Sequence, residues 1–167
     1  ALRANGTAPA SGAAEVAPEP AGEDLQVGGD DSAAAAPERK VLLVEDQDPV
    51  RMLGRVLLQK MGLSIAEAKD GAEAVAAAET APFDLILMDM HMPGMGGLEA
   101  CERIRAADGP NARTPIVALT ADALTGTRDR CLSAGMNDYL TKPFKNDVFE
   151  ATVDRWLKTA RSEIGET

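Results

Sequence analysis

The chain has 167 residues, 45% of them hydrophobic, and a formal net charge of −10. That acidic balance excludes a nucleic-acid surface, which needs Lys and Arg against phosphates. No apolar run approaches the roughly 20 residues of a membrane span, and residues 1–36 lack the apolar centre of a signal peptide.

Residues 1–36 hold 12 Ala, 5 Gly and 3 Pro, and their six acidic residues face one basic residue, Arg3. Such a segment cannot bury enough apolar surface to offset its ordering entropy. Residues 1–37 are therefore expected to be a disordered acidic linker, 38–160 a folded domain, and 161–167 a flexible tail. A linker in front of the domain, and a first residue that is not Met, suggest a piece of a longer protein.

From Lys40 to Val44 a short apolar run ends in Glu45, which suits a strand buried on both faces. Asp48-Pro49 reads as N-cap and first helical residue, with Val50, Leu53, Leu57 and Met61 at helical spacing and Gly62 closing the helix. Leu63–Ala68 is a weaker strand, and Asp70 caps the Ala-rich helix that follows. Phe83–Met88 predicts a second buried strand ending at Asp89, followed by a Gly- and Pro-rich loop over 90–97. Leu98, Cys101 and Ile104 share one helix face; Pro115–Leu119 is a strand ending at Thr120; the next helix runs to Ala134 with Gly135 as its C-cap. Asp138–Thr141 is the last strand, ending at Lys142-Pro143, and Val148, Phe149, Thr152, Val153 and Trp156 form the apolar stripe of the last helix. Cys101 and Cys131 have no CxxC spacing or metal partners and read as reduced core thiols.

Five strands alternating with helices over short connections predict parallel pairing and right-handed crossovers. The expected fold is α/β: a flavodoxin-like (βα)5 open five-stranded parallel sheet with helices on both faces. Ligand sites of such sheets lie beyond the carboxyl ends of the strands. Glu45, Asp46, Asp89, Thr120 and Lys142 stand at those ends. Clustered carboxylates repel one another unless a cation sits among them, and hard oxygen ligands suit Mg²⁺. A carboxylate nucleophile beside Mg²⁺ and a Lys is equipment for phosphoryl transfer.

Glu45-Asp46, Asp89 with Met92-Pro93 and Gly97, Thr120-Ala121, and Tyr139-Leu-Thr-Lys142-Pro143 together resemble the receiver domain of two-component response regulators. The phrases from Asp89 to Leu98 and from Met136 to Phe144 resemble receivers fused to hybrid histidine kinases, and the match spans about Arg39 to Leu157. The resemblance implies that Asp89 accepts a phosphoryl group from a phosphohistidine. It implies that Asp46 binds Mg²⁺ directly, Glu45 through water, and the His91 carbonyl completes the protein ligands. Lys142 would contact the acyl phosphate, next to a cis bond to Pro143. Thr120 would bind the phosphoryl group and draw its loop inward, with Tyr139 moving in concert as the switch. Thr120 could instead simply cap the following helix, with Asp122 just beyond, and Tyr139 could be an ordinary half-buried strand residue. His91, the one His of the chain, reads either as a solvated loop residue or, with Asp122, as tuning dephosphorylation.

The implied partners are a histidine kinase domain or a histidine phosphotransfer protein, with no nucleic acid and no direct membrane contact. The implied location is the cytoplasm, including the cytoplasmic part of a membrane-bound hybrid kinase. Such a domain catalyses its own phosphorylation and dephosphorylation, and the chain carries no kinase catalytic domain. Two rival functions remain open at this level: a pseudo-receiver that only binds protein, and a phosphatase of the haloacid dehalogenase type, whose nucleophile motif Asp46-Gln-Asp48 mimics.

Overall fold

The computed structural model describes residues 38–122 and 124–165. The expected linker, 1–37, lies outside the described residues, as do the last two residues of the expected tail.

The elements run β1 (Lys40–Val44), α1 (Asp48–Lys60), β2 (Ser64–Ala68), α2 (Gly71–Thr80), β3 (Leu85–Asp89), α3 (Gly97–Ala106), β4 (Ile116–Thr120), α4 (Thr127–Ala134), β5 (Asp138–Thr141) and α5 (Asn146–Gly165). The strands form one sheet in the order β2-β1-β3-β4-β5, with every pair parallel. The flavodoxin-like expectation holds. The strand order reverses between β1 and β3, and at such a point the flanking loops part to leave a crevice.

Alternation along the strands separates two cores. Leu42, Val44, Ile86, Met88, Ile116 and Ala118 pack with Ala74 and Ala78 of α2, Ala100, Cys101 and Ile104 of α3, and Cys131 of α4. Val41, Leu43, Leu85, Leu87, Val117 and Leu119 pack with Leu57 and Leu58 of α1 and Phe149, Val153 and Leu157 of α5. Strands β3 and β4 are buried along their whole length. Burying one such aliphatic side chain contributes about 1.5–3 kcal/mol.

Three local expectations need correction. The N-cap of α1 is Gln47, and Asp48 is already helical; its carboxylate engages Arg51 instead of a free backbone N–H. In the same helix Leu53 is 40% exposed, while Gly54, Leu57 and Leu58 carry the burial. In α5, Val148 is 46% exposed, because the i, i+4 row through Phe149 and Val153 faces the sheet and Val148 lies a third of a turn off it. The helical backbone of α5 runs on to Gly165.

Other local signals hold. Asp70 caps α2 by accepting from the Glu73 N–H at 2.8 Å. Gly135 takes the left-handed conformation at the end of α4, with φ 103°. Cys101 and Cys131 are buried and free. Burial pushes the Cys101 thiol up to about 11 and raises that of Cys131 as well.

Candidate active site

Parallel pairing brings the ends of β1, β3, β4 and β5 to one rim. There, carboxylate oxygens of Glu45, Asp46 and Asp89 lie within 4.8 Å of one another. Glu45 and Asp89 are buried, at 0% and 1% exposure. The Lys142 ammonium, arriving from the end of β5, stands 3.0 Å from Glu45 Oε2 and 3.2 Å from Asp89 Oδ1. The peptide between Lys142 and Pro143 is cis, as the resemblance implies.

Each acid is held differently. Glu45 Oε1 accepts from the Gln47 N–H at 3.1 Å, so both oxygens of that side chain are engaged. Asp89 Oδ1 accepts from the His91 N–H at 3.1 Å as well as facing Lys142. Asp46 Oδ1 and Asp89 Oδ2, by contrast, are buried with no hydrogen-bond partner. A buried carboxylate oxygen without a partner is costly, and two in one cluster mark where a further positive group belongs. One ammonium does not neutralise three carboxylates. The all-oxygen donor set and the charge deficit fit a hard divalent cation.

The electrostatics carry the same strain. Burial raises Glu45 from its ordinary 4.5 to about 7, against the pull of Lys142 and the Gln47 N–H, and the Asp89 charge adds to the rise. Burial pulls Lys142 down, but Glu45 and Asp89 outweigh it, and the ammonium is held above its ordinary value. Lys142 is therefore charged at neutral pH.

The loop after β3 reaches this geometry through close backbone approach. A Cβ at Gly97 would stand 2.3 Å from the Asp89 carbonyl oxygen, so any side chain there would push the backbone of Asp89 itself.

Thr120 ends β4, buried, with its hydroxyl turned into its own loop. It accepts from the Asp122 N–H at 3.0 Å and donates to the Asp122 carbonyl at 3.2 Å. The hydroxyl therefore bonds within its own loop and does not cap the following helix, which starts later, with Gly126 as its N-cap. The Asp122 carboxylate accepts from the Leu124 N–H. Tyr139 is half-buried and packs on the core face containing Met88 and Met90. The His91 side chain is exposed. Asp48, the second acid of the dehalogenase-like motif, is 80% exposed and paired with Arg51, so that motif does not assemble at the rim.

Arg51 is the residue sequence patterns do not single out. Three positions after Asp48, it reads as an ordinary helix ion pair. Its guanidinium also donates to the Glu45 carbonyl at 2.9 Å and pairs with Glu67 at 3.1 Å.

The chain is similar to known proteins over this region. Residues 41–154 match the response regulator receiver domain family. The CAI-1 autoinducer sensor kinase/phosphatase CqsS of Vibrio cholerae is 36% identical over 120 residues, covering 72% of this chain and 18% of the relative. The chain thus spans less than a fifth of that relative's length. The receiver domain of sensor histidine kinase PA1611 from Pseudomonas aeruginosa, solved with a magnesium ion coordinated in its active-site cleft, superposes with a TM-score of 0.67 at 41% identity, covering 72% of this chain and 98% of that one. The receiver domain of the response regulator Ssk1 from Saccharomyces cerevisiae, solved with the histidine phosphotransfer protein Ypd1, has a TM-score of 0.65 at 32% identity, covering 72% and 89%. The chain belongs to the response regulator receiver domain family and is similar to the receivers of hybrid histidine kinases.

Proposed function

We propose that Asp89 accepts a phosphoryl group from a phosphohistidine of a kinase or phosphotransfer protein, in a reaction that requires Mg²⁺. The observation that carries the reading is the pair of buried, partnerless oxygens, Asp46 Oδ1 and Asp89 Oδ2, beside Lys142. Asp46 and Asp89 would ligate the cation, with Glu45 acting through water and the His91 carbonyl completing the set. When bound, the ion neutralises charge on the transferring oxygens. The Asp89 carboxylate is the nucleophile: a carboxylate O–P bond forms as the imidazole N–P bond breaks. Lys142 then stays beside the new acyl phosphate as a fixed positive charge.

The surroundings support a protein donor. Met52, Leu53 and Val56 of α1 are 55%, 40% and 41% exposed. A groove lined by Val50, Leu53, Ala121, Pro143 and Phe144 opens next to Lys142. An apolar rim around a charged centre suits a helix that carries its histidine to Asp89. Ssk1, bound to a phosphotransfer protein, supports the same class of partner.

Signalling would follow from Thr120 leaving Asp122 for a phosphoryl oxygen, with Tyr139 moving inward. His91, two residues after Asp89, and Asp122, in the loop after β4, would tune access of the water that hydrolyses the acyl phosphate. Among the described residues no helix is long and apolar enough to cross a membrane.

Incubation with acetyl phosphate and Mg²⁺, followed by intact mass, tests the proposal. The expected result is one labile phosphoryl group, lost on Asp89→Asn and on adding a chelator. An adduct that survives both changes would overturn the assignment.

A further inference from the structure

We propose that Arg51 is a positioning residue for the cation site, holding the Glu45–Asp46 peptide so that the Asp46 carboxylate points among the acids. The inference rests on the Mg²⁺ reading above and goes one residue beyond its ligands.

Glu45 is tied on every side. Its N–H donates to the Ala68 carbonyl at 3.1 Å, its carboxylate meets Lys142 and the Gln47 N–H, and its carbonyl accepts from Arg51 at 2.9 Å. Asp46 is tied by none of these, and its Oδ1 is buried without a partner. The direction of that carboxylate is thus set by the peptide on which Asp46 hangs. Arg51 holds the carbonyl of that peptide.

The guanidinium is itself braced. Glu67, next to the end of β2, accepts from Arg51 Nε at 3.1 Å and from Arg55 at 3.2 Å, and Asp48 closes the third side. The Arg51 side chain is only 12% exposed. A planar fork that bonds a carbonyl and two carboxylates at once fixes orientation in a way an ammonium cannot. The network joins α1, β1 and β2 beside Asp46, whose buried Oδ1 has no hydrogen-bond partner among the described residues.

Charge and geometry predict opposite results, which makes the inference testable. Arg51 is a cation near a cation site, so removing its charge alone would tighten Mg²⁺ binding. Losing the brace would weaken it, and partners that orient ligands typically contribute about 10–100-fold in metal affinity. The experiment is Mg²⁺ titration of the protein followed by the amide signals of Asp46 and His91, for wild type, Arg51→Gln and Arg51→Lys. Wild type reports on the Mg²⁺ reading itself: no saturable shifts there would remove that reading and this inference together. With wild type binding, weaker binding by about tenfold or more in both variants is expected. In the Asp46→Asn background, Arg51→Lys should cause no further loss. Unchanged or tighter binding in Arg51→Lys, or an equal loss with and without Asp46, would overturn the positioning role. Arg51→Lys keeps the charge and most of the stem, so the comparison stands even where Arg51→Gln fails to fold.

Discussion

The Lys142 ammonium lies 3.2 Å from Asp89 Oδ1 and shares itself with Glu45 at 3.0 Å. A single positive charge thus spans Asp89 and Glu45, the two most buried acids of the cluster. Its side chain is 15% exposed, against 1% and 0% for the two carboxylates. The ammonium serves the resting state as much as the proposed reaction.

Removing it should therefore destabilise the metal-free protein. Lys142→Met leaves buried carboxylates with no counter-charge, and breaking such a pair costs about 3 kcal/mol. Urea unfolding in chelator should show a lower midpoint, and Mg²⁺ should restore more stability to the variant than to wild type. An unchanged midpoint would mean that the pair contributes nothing to the fold.

Asp89→Asn should act in the opposite sense. It removes one charge from a repelling cluster while keeping an oxygen for the Lys142 and His91 contacts. The metal-free melting temperature is expected to stay the same or rise, and the stabilisation by millimolar Mg²⁺ to shrink sharply. Calorimetry with and without Mg²⁺ checks both. A collapse of the metal-free fold would show Asp89 to be structural first.

Glu45 sets a pH dependence. Burial raises its folded value to about 7, above the ordinary 4.5. The folded state then holds a proton that the unfolded chain has released, so this contribution to stability is fully present below pH 4.5 and is lost as pH rises through about 7. In chelator, the stability difference between wild type and Glu45→Gln should move against wild type over that window. Chemical denaturation at several pH values measures it, and a flat difference would contradict the raised value.

The two thiols should be silent in the native state. Both are buried, and the Cys101 thiol at about 11 has little thiolate at pH 8. A thiol reagent should modify neither cysteine in the folded protein and both after unfolding. Rapid native labelling would show that α3 or α4 opens readily.

Thr120→Ala should leave phosphoryl uptake intact and blunt the response. The hydroxyl now bonds Asp122 and would have to exchange that partner for a phosphoryl oxygen. A hydrogen bond to a charged acceptor contributes about 1.5–3 kcal/mol, enough to move a switched population roughly tenfold or more. Beryllofluoride with Mg²⁺ should shift amide signals of β4 and β5 in wild type far more than in the variant. Equal shifts would place the coupling elsewhere.

Much of this architecture is written locally. Val41 to Val44, Leu85 to Met88 and Ile116 to Leu119 are continuous apolar runs that end in polar residues, and a doubly covered parallel sheet requires that pattern. Once those strands are parallel, their ends share a rim, so Glu45, Asp46, Asp89, Thr120 and Lys142 could be placed together before any distance was known. Sequence spacing alone did not decide what those side chains do to one another. The sharing of Lys142 between two acids, the raised Glu45, the partnerless Asp46 oxygen and the Thr120 bonds to Asp122 depend on separations of a few ångströms between the ends of different elements. The same holds for Arg51, whose ion pair with Asp48 is visible within one helix turn. Its hold on Glu45 and Glu67 exists only because α1 crosses the ends of β1 and β2. Exposure at Leu53 and Val148 was likewise decided by helix rotation against the sheet, since periodicity defines an apolar stripe but packing selects its centre.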